Sequence, residues 1–119
     1  MTGDFKIACD PINVFVKWHH KLIDLATWVV DFTGEIIITS ALRMRTLYPL
    51  DSGIHTHLPL RALDIRSRIY NDPEKLCEVI NNKFKYDKLR PDMKCAIYHD
   101  TGLGIHIHLQ VHDRTNSGL

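Results

Sequence analysis

Between Ile105 and Val111, apolar and polar residues alternate without a break: Ile105, His106, Ile107, His108, Leu109, Gln110, Val111. A period of two places the two sets on opposite faces of a β-strand. The apolar set needs a covering layer. The polar set puts two imidazoles about 7 Å apart on one face, close enough to reach a single cavity. Whatever else the chain does, it must build a sheet with one face covered and histidines on the other.

Neighbouring segments supply the partners. Lys94 to His99 reads as a strand, and Thr101-Gly102-Leu103-Gly104 as the turn that makes it a hairpin with 105–111. Residues 3–8 read as a short strand, and Glu35 to Ser40 (EIIITS) as a buried, β-branched one. A strand is expected after Pro59, with Ala62 and Asp64 on one face and Leu63 and Ile65 on the other. Phe15, Trp18, Leu22, Leu25, Val29 and Phe32 recur at helical spacing, with Asp10-Pro11 as the expected start and Gly34 as the stop. Asp72-Pro73 opens a second helix with Leu76, Val79, Ile80 and Phe84 on its apolar face. Leu42 to Gly53 reads as an irregular loop, and Asp113 to Leu119 as a loose tail. The expectation is one α+β domain over residues 1–119, a small, mainly antiparallel sheet with two helices.

Composition narrows the classes of function. The chain has 119 residues and a formal net charge of +1, which argues against a dedicated nucleic-acid binder. No apolar run approaches the roughly 18 residues of a membrane span. Three cysteines (Cys9, Cys77, Cys95) with no CxxC pattern read as thiols rather than a disulfide framework. Cys77 and Cys95 fall at core positions. Met1 to Asp10 lacks the pattern of a signal peptide, so synthesis in the cytoplasm is expected. The anomaly is histidine: there are 8, clustered as His19-His20, His55-x-His57, His99, His106-x-His108 and His112.

Three pieces of sequence stand in order. Thr39-Ser40-Ala41-Leu42-Arg43 follows a strand. His57 and Asp64 are separated by six residues, and both are ligand types for a borderline cation such as zinc. His106-Ile107-His108 closes the series. Taken together they resemble the zinc peptidase group that contains D-alanyl-D-alanine carboxypeptidases and dipeptidases, phage endolysin peptidases and related murein endopeptidases. The likeness covers about residues 35–112, including the order of helices and strands. It implies a zinc site on the sheet, with His57, Asp64 and His108 as ligands and a water in the fourth position. It implies His106 as the base beside that water. Arg43 would polarise the scissile carbonyl or hold a substrate carboxylate. His55 stands where the group has serine, as a partner of the ligands or an alternative base. Leu60 replaces the group's glycine, and Ile105 occupies the position of the acidic base in the carboxypeptidase branch.

The activity this implies is zinc-dependent hydrolysis of peptidoglycan stem peptides containing D-amino acids. It suits a phage lysis enzyme or a virion-associated one, reaching the wall after holin release or with the particle. Two other readings stay open. One is a metal-binding structural or partner-binding module without catalysis. The other is a two-histidine phosphoesterase, for which His55-Thr56-His57 and His106-Ile107-His108 lack the Ser or Thr required at the third position. His19-His20 read as surface or packing residues, His99-Asp100 as residues of the hairpin turn or, alternatively, as ones that orient a ligand, and His112 as a non-ligand.

Overall fold

The computed structural model describes residues 4–8, 17–41, 54, 59–100, 102 and 104–117. Its elements, in chain order, are β1 (Asp4–Ile7), α1 (His20–Thr33), β2 (Glu35–Ser40), β3 (Ala62–Ile65), α2 (Pro73–Lys83), β4 (Ala96–Asp100) and β5 (Ile105–Gln110). The strands form a five-stranded sheet in the order β1-β2-β3-β5-β4. β1 pairs parallel with β2, and every other neighbouring pair is antiparallel. This is the α+β fold with a mainly antiparallel sheet and two helices expected from the sequence.

The alternation in β5 does what a period of two requires. Ile107 and Leu109 are fully buried and stand opposite Ile65 and Leu63 of β3. They join Leu22, Leu25 and Val29 of α1, and Leu76 and Ile80 of α2, in the core. The two helices therefore cover one face of the sheet. His106, His108, Gln110 and Asp64 turn to the other face, and all four are buried too.

α1 begins later than its spacing predicts. His19 is extended (φ −61°, ψ 135°), and its ring Nδ1 accepts the Lys21 amide as the N-cap. The backbone just before it is engaged elsewhere: the His19 amide donates to the Leu60 carbonyl, and the Leu60 amide to that of Lys17. Those bonds tie Lys17–His19 to the approach of β3, so Trp18 precedes the helix, packed against the core. Asp10, Pro11 and Phe15 lie outside the described residues. Phe32 is 57% exposed, stacked on Trp28 rather than buried. Gly34 ends the helix as expected, at φ 92°, where a side chain would be strained. α2 starts as its sequence predicts, with the Asp72 carboxylate accepting the Lys75 amide and Pro73 in the first turn.

The segment after β5 is not loose as far as Asn116. The Arg114 guanidinium donates two hydrogen bonds to Asp87, and the Thr115 hydroxyl donates to the Tyr86 carbonyl. Asp113 accepts from His19, and Lys85 and Asn116 form an antiparallel bridge. Polar tails read as solvated when their partners are distant in sequence. Among the described residues, no helix is long and apolar enough to cross a membrane.

Replacing Ile107 by Ala should cost roughly 2–5 kcal/mol, the usual range for opening a cavity at a fully buried branched residue. Urea denaturation would measure it. The Arg114 guanidinium holds the Asp87 carboxyl down at about 2, against an ordinary 3.8. Unfolding returns it to the ordinary value. The pair therefore stabilises the fold fully above about pH 4, and its contribution fades as pH falls towards 2. Asp87→Asn should flatten the fall in stability within that window, read from thermal melts at successive pH values.

Candidate metal and catalytic site

β3 and β5 bring the site together through their register. Asp64 pairs directly with His108. The His108 ring is gripped at both ends. Its Nδ1 lies 2.9 Å from Asp64 Oδ1, and its Nε2 lies 3.0 Å from Gln110 Oε1. The orientation of Gln110 is itself fixed, because its amide Nε2 donates to the Lys94 carbonyl at 2.7 Å. Its oxygen must then face His108 and accept the Nε2 hydrogen. The nitrogen left facing the carboxylate is Nδ1, and a cation or a proton is what allows a ring nitrogen and a carboxylate oxygen to meet so closely.

His106 is built in a similar way. Its Nδ1 donates to the Gly104 carbonyl at 2.8 Å, so the neutral ring carries a lone pair on Nε2. That nitrogen is 3.4 Å from Asp64 Oδ1, is buried, and makes no hydrogen bond. A buried nitrogen without a partner costs about 1–3 kcal/mol, which a bound cation or ligand would recover. The acceptor Gly104 sits at φ 96°, in a turn organised by Asp100, whose carboxylate accepts the amides of Gly102 and Gly104.

Sequence reasoning placed His99 at the end of the strand 94–99 and favoured a role in the adjoining turn; the structure keeps the strand and changes the role. The turn belongs to Asp100. His99 lies within β4, paired with His106 across the hairpin. Its ring is 5.1 Å from that of His106 and 5.6 Å from that of His108, centroid to centroid. Its Nε2 is also buried without a hydrogen-bond partner. Burial holds the imidazole below the usual histidine range, with His108 and His106 adding to the effect and Asp64 and Asp100 opposing it. The signal that could have found it is the hairpin register: counting back across the turn from His106 lands on His99.

Of the expected site residues, Asp64, His106 and His108 converge on one face. His57, His55 and Arg43 lie outside the described residues. Among the described residues, no three His, Cys, Asp or Glu side chains already stand at metal-binding geometry. Ser40, at the end of β2, pairs with Asp64, so the strand that leads towards Arg43 arrives beside the cluster. The remaining histidines are elsewhere: the His112 ring lies against Tyr86, and His19 and His20 stack on each other at the start of α1. Cys77 and Cys95 are buried, and burial pushes their thiols up to about 11 and about 12, which keeps them protonated and unreactive.

Long-range proton–nitrogen NMR spectra of the metal-free chain should show His106 with a protonated Nδ1 and a bare Nε2. Replacing Gln110 by Leu should release the His108 ring and change its nitrogen shifts, while leaving those of His106 within error. Comparison with protein-family models, with curated proteins and with solved structures finds no match for the chain.

Proposed function

We propose that the chain is a zinc-dependent peptidase acting on cell-wall stem peptides that contain D-amino acids. The observation that carries the reading is the meeting of Asp64, His106 and His108 on one buried face of the sheet, with acceptor atoms turned towards one another. Buried polar atoms that present lone pairs to each other suit a cation more than an empty interior. The ligand types, one carboxylate and imidazoles, are those of zinc.

In this reading His57, Asp64 and His108 hold the zinc. Gln110 supports the set from outside by fixing the His108 ring, the role that outer partners of metal-bound histidines commonly take. Zinc supplies a Lewis acid that polarises a carbonyl and makes hydroxide available near neutral pH. His106 is not spent on the metal. Tethered through Nδ1 to Gly104, it accepts a proton at Nε2 and returns it to the leaving amine. Arg43 orients the scissile carbonyl or a substrate carboxylate. His55 remains the alternative proton acceptor.

The purified chain should contain one zinc and hydrolyse D-alanyl-D-alanine peptides or peptidoglycan fragments. His57→Ala, Asp64→Ala and His108→Ala should each lose the metal in elemental analysis. His106→Ala should keep it and lose about 100-fold or more in kcat, the lower range for removing a general base. Gln110→Ala should weaken zinc about 10- to 100-fold. A chain that binds zinc but cleaves none of these substrates would be a metal-binding module instead. Equal zinc in all the ligand variants would refute the ligand set.

A further inference from the structure

The resemblance in the sequence assigns His99 no role, yet it shares the site with His106. They are direct partners across the β4–β5 ladder, so their side chains leave the same face of the sheet. Both rings hold a buried Nε2 without a hydrogen-bond partner. One such atom is a modest defect. Two on neighbouring rings, beside a carboxylate, are a place for a ligand. The rings are not equivalent. His106 is tied through Nδ1–H to Gly104, so its Nε2 presents a lone pair. Among the described residues His99 has no such tether, so its ring is free to carry its hydrogen on Nε2. A hydrogen-bond donor and an acceptor then stand side by side, which is the complement of a single water molecule or hydroxyl group. β4 is the last strand of the sheet, so His99 holds the outer side of this pair.

We propose that His99 is a catalytic residue of this site, clamping with His106 the oxygen of the water that attacks the amide of a bound peptide. The Nε2–H of His99 donates to that oxygen, and the oxygen's own hydrogen is donated to Nε2 of His106. As this oxygen bonds to the amide carbon, the carbonyl π bond opens onto the carbonyl oxygen and the water's proton passes to Nε2 of His106; the His99 bond strengthens with the charge that the departing proton leaves on the water oxygen. The contact therefore belongs more to the transition state than to the bound peptide. The identity of the ligand rests on the peptidase reading above, whereas the pairing of the two nitrogens does not.

The test uses the zinc-loaded full chain, its His99→Ala and His99→Gln variants, and a phosphinate analogue of D-alanyl-D-alanine as a tetrahedral probe. His99→Ala should weaken the phosphinate about 100-fold and lower kcat by a similar factor, the size seen when one oxyanion donor is removed. KM and zinc content should stay within threefold of the parent. His99→Gln, which restores an N–H, should recover at least tenfold in phosphinate affinity. Phosphinate affinity within twofold of the parent in His99→Ala would overturn the proposal. So would loss of zinc in parallel with affinity, because His99 would then act through the metal, and so would a parent chain that binds no phosphinate. If the parent binds the probe through His99 but cleaves no peptide, the peptidase reading fails and the clamp stands.

Discussion

The antiparallel pairing of β3 with β5 is the constraint on which the other features depend. It sets Leu63 and Ile65 against Leu109 and Ile107 on the covered face, and Asp64 against His108 on the other. The two faces are locked by the same register. A slip of one residue would drive His106 and His108 into the layer filled by Leu22, Leu25 and Ile80. Hydrophobic burial under the helices therefore also aligns the polar cluster. The site needs no separate device to place its carboxylate beside its imidazoles.

Burying that polar face demands compensation, and the chain provides it through fixed hydrogen-bond chains. From the Lys94 carbonyl the order runs to Gln110, to His108 and to Asp64. A second runs from the Asp100 carboxylate through the turn glycines to Gly104, whose carbonyl holds His106. The first chain starts from backbone at the open end of the β4–β5 hairpin, and the second from a side chain at its turn. Ring orientation is thus decided by groups that cannot easily move, which is what a metal or substrate site requires of its support. Among the described residues, the buried side-chain polar atoms without a hydrogen-bond partner are Nε2 of His99 and of His106. These are the two atoms that the proposed ligand would meet.

Much of this was legible in the chain. The alternation of 105–111 identified β5 and its two faces, and the Ala62/Asp64 against Leu63/Ile65 alternation identified β3. Asp72-Pro73 and Gly34 marked helix ends, because capping chemistry is local. Three readings failed for one shared reason. The first helix was drawn too long because Trp18 keeps helical spacing, although its backbone neighbours bond to Leu60, about forty residues away in the chain. The tail beyond Asp113 read as loose because its partners, Asp87, Tyr86 and His19, are remote in sequence. His99, placed in its strand, was given a role in the adjoining turn because its partner His106 lies across the hairpin rather than beside it in the chain.

By itself, the sequence determined which faces exist: period two, helical spacing and caps act within a few residues and need no knowledge of the fold. It also supplied Asp64, His106 and His108 as a set, through residue type and order. Only the tertiary structure decided which of these groups meet, because strand register is a long-range choice made by burial of the apolar face. That choice placed Asp64 2.9 Å from His108, brought His99 into the site, and tethered His106 and His108 through hydrogen bonds that no spacing rule encodes.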